Sequence, residues 1–168
     1  MNSNILQNII LFISLLLLQV ILLNNIELFG YINPFLYILF VILFPFNRNR
    51  GPVLFFSFLL GLCVDMFLNS GGTNAAATLF IAYIRLPLLK TILRRSEIDH
   101  VVFNILKQPI LKILVYVSFL TFIHSFIVFS LEYFKLSDLG IILSRTFLTS
   151  IFTIILTIFS LILLSRKK

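Results

Sequence analysis

The chain has 168 residues, of which 60% are hydrophobic and only 11% are charged, so it is far more apolar than a soluble domain. Its formal net charge of +7 comes from basic residues at the ends of apolar runs, and this placement indicates membrane topology rather than a face that binds nucleic acid. We therefore expect an integral membrane protein that forms a single domain over residues 1–168, with no catalytic domain outside the membrane.

Six stretches are apolar enough and long enough to cross a bilayer, which takes about 20 residues of helix. An all-α bundle is expected, because a backbone in lipid is satisfied only in helices or in a closed barrel, and no sustained alternation of apolar and polar residues supports a barrel. The six predicted transmembrane helices are residues 5–23, 29–46, 52–68, 73–93, 109–131 and 139–164.

The first two predicted spans have features of their own. Residues 1–25 lack the basic region and the small-residue cleavage site of a signal peptide, so the first helix is expected to be retained. In the second span Pro34 and Pro45 bracket the core, which leaves a re-entrant or interfacial segment as the alternative to a full crossing.

Small residues connect the third and fourth spans. Gly71 and Gly72 can take the positive φ of a tight turn, so these two helices are expected to form an antiparallel hairpin. Gly61 and the alanine run that includes Ala75 and Ala76 let the two backbones approach closely, which is how helices associate in lipid.

The longest connection and the basic residues complete the predicted topology. The connection 94–109 contains an apolar run, 101–106, that can lie along the membrane surface as a short helix. Lys and Arg fall mainly in every second connection and in the C-terminal tail, while the connections between them are neutral or acidic. Because short basic connections stay in the cytoplasm, both termini are expected to face it.

Asp65 lies near the outer end of the third span, and two explanations for it are open. Its carboxylate can accept hydrogen bonds from backbone N–H groups or from Thr73 and Asn74 at the start of the fourth helix, where the helix dipole favours negative charge. Alternatively, it can pair with Arg145, at a similar depth in the sixth span, in a shallow polar site open to the outer face.

The other polar groups inside the spans can also be explained in more than one way. An ionised side chain at the bilayer centre costs about 2.5 to 3.5 kcal/mol, so such groups are expected to face protein or water. Arg85 can satisfy carbonyls that Pro87 frees near residue 83, it can snorkel inward, or it can contact another protein. His124 is predicted to be a satisfied histidine of the bundle rather than a proton relay, and Cys63 to be a small packing residue.

Motifs that would indicate an enzyme are missing from the sequence. HExxH, GxSxG, the Walker A loop, CxxC and clustered metal ligands do not occur, and a single cysteine excludes an internal disulfide. We therefore expect no catalytic residue, no cofactor and no metal site.

The stretch GLCVDMFLNSGGTNAAATLFIAYIRL, residues 61–86, resembles MreD, the bacterial rod-shape-determining membrane protein. The upstream stretch NNIELFGYINPFLYILFVILFPF, residues 24–46, is similar to the Bacteroidetes-type branch of that family. The resemblance implies a fold similar to the membrane substrate-binding subunit of energy-coupling-factor transporters. The positions that match the family are Gly61, Asp65, Gly71, Gly72 and Arg85.

The resemblance also implies a cellular role. MreD-like proteins are multi-pass proteins of the bacterial cytoplasmic (inner) membrane and belong to the elongasome, the machinery for cell shape and peptidoglycan synthesis. The implied nearest partner is an MreC-like shape protein. A peptidoglycan glycosyltransferase, a transpeptidase and MreB form the wider assembly, with membrane lipid around it.

Two functions are therefore compatible with the sequence. In the first, the protein is a non-enzymatic scaffold that docks the MreC-like partner through protein–protein interaction. In the second, it is the solute-binding membrane subunit of a vitamin or micronutrient transporter, and a fold shared by both would not decide between them. The candidate polar site is the same in either case: Asp65, Asn74, Arg85, His124 and Arg145.

Overall fold

A computed structural model of the protein describes residues 3–25, 33–46, 49–94, 105–133 and 139–166. Within these ranges the chain is almost entirely helical and contains no strand. Four of the helices are long and apolar enough to cross a membrane, so the expectation of a multi-pass membrane protein is supported. We number the α-helices α1 (Ser3–Leu17), α2 (Ile38–Leu43), α3 (Gly51–Leu68), α4 (Thr73–Leu93), α5 (Ile110–Tyr133) and α6 (Leu139–Arg166).

The four long helices, α3 to α6, coincide with the last four predicted spans. The first predicted span corresponds to α1 and its continuation, a π-helical turn at Leu18–Leu22, and its apolar stretch Leu6–Leu22 is shorter than the other four. The count of six full crossings is therefore not confirmed. The surface helix predicted at 101–106 lies mostly outside the described residues, and its last two residues begin a 3-10 turn, Ile105–Lys107.

The second predicted span, 29–46, is not a continuous helix in its described part. Residues 33–46 contain only the six-residue α2, and residues 26–32 lie outside the described residues. The helix ends at Leu43, and the next residue, Phe44, has an extended ψ of 133°, as is usual for a residue before a proline. From Ile38 to Ile42 every side chain is buried, so α2 lies inside the bundle and is enclosed by protein.

The start of α2 is held by side chains from two other helices. Gln19, in the π-helical turn that continues α1, accepts a hydrogen bond from the Leu36 amide at 2.9 Å and donates one to the Pro34 carbonyl at 3.0 Å. The Phe35 amide donates to the Thr153 hydroxyl of α6 at 3.1 Å. Since an unpaired backbone group in a membrane interior costs several kcal/mol, these contacts are what permits an irregular segment at this position.

In the α3–α4 hairpin, Gly61 lets the two helix backbones approach each other closely. A Cβ atom added at Gly61 would lie 2.6 Å from the Cα of Ala75 and 2.7 Å from the carbonyl oxygen of Asn74, both in the α4 backbone. Only a residue without a side chain fits there. The sequence also predicts Ala76 in this contact, but Ala76 is exposed, and Ala77 is the buried neighbour because it lies on the same face of α4 as Asn74 and Thr78.

Replacing Gly61 with alanine is expected to destabilise the bundle, because the new methyl group meets backbone atoms that cannot rotate away. Overpacking of this kind costs about 1 to 3 kcal/mol. The measurement is thermal unfolding of the purified protein in detergent. Gly140→Ala is the matched control, since among the described residues no atom outside its own helix backbone lies within 4 Å of the added carbon, and the melting temperature should not fall. Equal melting temperatures for the two variants would contradict the close approach.

Candidate functional site

Asp65 of α3 caps the start of α4. Its carboxylate accepts hydrogen bonds from the backbone amides of Asn74 at 3.0 Å and Ala75 at 2.7 Å, and from the Asn74 side chain at 2.9 Å. The Ser70 hydroxyl donates a further bond. Asn74 and Ala75 occupy the second and third positions of α4, which are the ones a capping side chain normally serves, while the residue at the cap, Gly72, has no side chain to serve them.

These contacts correspond to the first of the two explanations for Asp65, in which its carboxylate accepts hydrogen bonds at the start of α4. The carboxylate is almost fully buried and lies where the α4 dipole is positive, so the charge is stabilised by the helix rather than by a cation. Of the two predicted donors Asn74 takes part, whereas the buried Thr73 hydroxyl has no partner among the described residues. The turn that brings the two helices together has φ values of 66° at Gly71 and 93° at Gly72, as predicted from the glycines.

A buried chain of hydrogen bonds continues from Asp65 toward the bundle interior. The Tyr37 hydroxyl, at the start of α2, lies 2.6 Å from the Asn74 side-chain oxygen and 3.1 Å from Nε2 of His124 in α5. The Asn74 oxygen can only accept, so Tyr37 donates to it and must itself accept from a protonated Nε2 of His124. His124 is thus satisfied at one nitrogen, and its Nδ1 has no partner in the described part of the chain.

Arg85 of α4 binds the end of α2. One guanidinium nitrogen, Nη1, donates to the carbonyls of Val41 at 2.6 Å and Phe44 at 2.9 Å, and the other, Nη2, donates to that of Pro45 at 3.0 Å. The guanidinium also lies over the Phe46 ring, with its central carbon 4.3 Å from the ring centroid. The last carbonyls of a helix attract positive charge, so Arg85 stabilises the end of α2 both by pairing its carbonyls and by its charge.

The acceptors of Arg85 differ from the predicted ones. The sequence suggests carbonyls near residue 83, freed by Pro87, but α4 continues through Pro87 and the guanidinium reaches across to α2 instead. The structural role for Arg85 thus has a direct geometric basis. A contact with another protein would require this buried side chain, only 3% exposed, to leave α2.

A small polar pocket opens at the end of the bundle near the α3–α4 turn. Its volume is about 150 Å³, and its lining comes from α3, α4, α5 and α6 and from residues that flank α1 and α2. Asn74 and Arg145 line it, whereas Asp65 lies behind Ser70 and Asn74, and His124 lies deeper, beneath Phe35. The lining side chains are Asn24, Asn33, Phe35, Leu68, Ser70, Thr73, Asn74, Val128, Phe129, Glu132 and Arg145.

Arg145 does not form the predicted ion pair with Asp65. Both residues are described, and no contact of 4 Å or less joins their charged groups. The Arg145 guanidinium instead lies over the Tyr133 ring, 5.4 Å from its centroid. The polar site expected from the sequence is therefore divided into a buried structural part around Asp65 and an open part at Arg145.

Three residues of this network were not expected from the sequence. They are Gln19, Tyr37 and Thr153. Gln19 and Thr153 bind the segment before α2, and Tyr37, at the start of α2, connects it to Asn74 of α4 and His124 of α5. A sequence signal exists for Gln19, because it is the only amide within a long run of aliphatic residues and such a group needs a partner in lipid. Tyr37 and Thr153 lack an equivalent signal, since tyrosine and threonine are ordinary residues of membrane helices.

No family model, curated protein or solved structure matches this chain. Among the described residues, no group of three or more His, Cys, Asp or Glu side chains could hold a metal ion.

Replacing Asp65 with asparagine is expected to lower stability although the shape is nearly unchanged. The new amide has one oxygen, so it cannot accept from both Asn74 and Ala75 amides, and its NH₂ group would face a backbone N–H. Loss of a helix cap costs about 0.5 to 2 kcal/mol. Thermal unfolding in detergent measures the change, with Glu132→Gln as control because that carboxylate is exposed. An Asp65→Asn protein as stable as the control would rule out the capping role.

Replacing Arg85 with lysine is expected to destabilise the protein despite the retained charge. An ammonium group cannot place donors on three carbonyls in the plane that the guanidinium provides, nor stack in the same way on Phe46. A loss of about 1 to 3 kcal/mol is expected for the carbonyls left unpaired. Hydrogen exchange of the 38–46 amides should increase, while Lys90→Ala, on the same helix, should leave exchange there unchanged. Unaltered exchange in Arg85→Lys would refute the proposed contact.

Proposed function

We propose that the protein is a non-enzymatic scaffold of the cell-elongation machinery in the bacterial cytoplasmic membrane, with both termini in the cytoplasm. Its partner is an MreC-like shape protein, and through it the scaffold takes part in the assembly with glycosyltransferase, transpeptidase and MreB. The resemblance of residues 24–88 to MreD motivates the proposal. The open polar pocket near the α3–α4 turn is the observation that supports a docking role most directly.

The charges of this pocket are available for a partner. Glu132 and Arg145 both line it, and neither takes part in an ion pair within the described ranges. Charged groups at the rim of an interface steer a partner and fix its register. The neighbouring Asp65 is engaged in capping α4, so it serves the scaffold by holding the pocket wall.

The size of the pocket favours a protein partner over a free solute. Sites for small molecules usually measure about 300 to 1,000 Å³, whereas this pocket measures about 150 Å³. That volume suits one polar side chain inserted from a juxtamembrane segment. Docking at membrane level also agrees with the short connection at 69–72, which extends little beyond the helix ends.

The alternative is the solute-binding membrane subunit of a vitamin or micronutrient transporter. The concave polar lining of the same pocket favours it, since asparagine, serine and a charged pair can orient a small ligand. The volume argues against a ligand of vitamin size unless the surrounding helices move apart.

Reversing the charge of Arg145 is expected to weaken docking of the partner. Arg145→Glu places a second carboxylate beside Glu132 and removes the cation from the pocket. We expect recovery of the MreC-like partner to fall about tenfold, which corresponds to about 1.4 kcal/mol. The measurement is co-purification from native membranes with quantitative mass spectrometry, and rounding of the cells should accompany the loss.

Lys90→Glu is the control for this experiment, because Lys90 lies at the other end of α4 and carries the same charge. Both variants must keep the wild-type melting temperature, so that loss of the fold is not mistaken for loss of docking. Asp65→Ala and Arg85→Ala are less informative tests, since both side chains hold the bundle together. Normal co-purification of Arg145→Glu together with lost uptake of a defined vitamin would reverse the ranking of the two functions.

A further inference from the structure

A second and larger cavity opens on the side of the bundle, between α1, α2 and α3. Its volume is about 660 Å³, and its lining is almost entirely apolar. Phe40 of α2 and Phe44, the residue that follows α2, form the floor, and both are buried. Phe12 of α1 and Phe56 of α3 form the walls, so we refer to this cavity as the side groove.

The side groove is braced by contacts between its own aromatic rings. The Phe12 and Phe40 rings meet edge to face at 5.6 Å between centroids, and Phe40 and Phe44 do so at 5.4 Å. Phe44 stacks on Phe56 at 6.2 Å. Because α2 is fixed at both ends by hydrogen bonds, the floor is preformed, and an occupant need not order it on binding.

The length of the side groove matches one leaflet of a bilayer. Along α3 the lining extends from Pro52 to Leu59, a rise of about 10 Å for a helix that advances about 1.5 Å per residue. The hydrocarbon core is about 30 Å thick, so the groove fits within one leaflet. A membrane helix of a partner would cross the whole core and use the groove for only about a third of its length, whereas an acyl chain lies within a leaflet.

The polar groups described beside the side groove lie toward one end of it. Asn8 of α1 is the one polar residue among the described residues of the lining. It precedes Gln19, which binds the segment before α2, so Asn8 lies nearer the other end of α2, from which the chain leads to Pro52. Arg50, which immediately precedes α3, is exposed and has no ion pair in the described part of the protein. An apolar cleft with a cation and an amide at its interfacial end is complementary to a phospholipid, which has apolar acyl chains and, in this case, a negative headgroup.

We propose that the side groove binds an anionic phospholipid, with one acyl chain along Phe12, Phe40 and Phe56 and the phosphate at Arg50 and Asn8. The proposal is independent of the docking role of the polar pocket, which lies at the opposite end of α3. It also holds for either orientation in the membrane, because the leaflet concerned is the one nearer the start of α3.

Tryptophan fluorescence can test the proposal directly, because the chain contains no tryptophan. Leu59→Trp places a single fluorophore inside the side groove, and Phe80→Trp places one on the exposed face of α4. Both positions lie at about the same depth, since Gly61 faces Ala75 and Thr78 across the hairpin. Each variant is reconstituted into phosphatidylcholine vesicles that contain a minor fraction of acyl-brominated phosphatidylglycerol or acyl-brominated phosphatidylcholine.

We expect the brominated anionic lipid to quench Leu59→Trp more strongly than the brominated zwitterionic lipid does, and Phe80→Trp to be quenched equally by both. Adding Arg50→Ala to Leu59→Trp should reduce the preference for the anionic lipid about fivefold, the change that corresponds to about 1 kcal/mol for one basic residue at a membrane surface. Lys90→Ala in the same background should leave the preference unchanged. If Leu59→Trp does not fold, Phe56→Trp provides the second reporter.

Two results would overturn the proposal. Equal quenching of the groove reporters by both lipids, with no effect of Arg50→Ala, means that the groove holds bulk lipid without selectivity. Loss of lipid quenching when the MreC-like partner is reconstituted together with the protein means that the groove receives a partner helix. Loss of partner docking in Arg145→Glu leaves the lipid measurement unaffected, so failures of the two proposals can be told apart.

Discussion

The structure depends on satisfying the backbone of one short helix that is buried inside a membrane bundle. The segment just before helix α2 has buried N–H groups and the end of α2 has buried carbonyls, and each of these groups needs a partner from another element. Gln19 and Thr153 pair with the start, and Arg85 pairs with the end. These side chains come from the π-helical turn after α1, from α6 and from α4, so the surrounding helices are fixed relative to one another by the same bonds that hold α2.

The two buried ionic groups follow one electrostatic rule. The Asp65 carboxylate meets the amides at the positive start of α4, and the Arg85 guanidinium meets the carbonyls at the negative end of α2. Each charge is thus placed against a helix end of opposite sign that belongs to another element. Such bonds offset the cost of about 2.5 to 3.5 kcal/mol for a charge in the membrane interior, and they require no ion pair between the two residues.

The interior charges are engaged in the fold, and the two binding sites that we propose lie at surfaces that remain open. At one end of α3 the polar pocket presents Glu132 and Arg145, and at the other end the side groove presents aromatic walls with Arg50 nearby. The two sites differ in polarity, so they suit different occupants. Both are bordered by segments that α2 and its partners hold in place, which relates their shape to the buried network.

Local features of the sequence are enough to predict the membrane class, helices α3 to α6, the glycine turn and the close approach at Gly61, because apolar length, turn residues and small residues act over a few positions. The same features restrict Asp65 to two alternatives. The packing of the helices decides that α2 is short and buried, and which acceptors Arg85 uses. Those acceptors lie about 40 residues away in the chain, and Thr153 lies 118 residues from Phe35. Local sequence patterns predict that a buried polar group needs a partner, but the packing of the helices determines which residue that partner is.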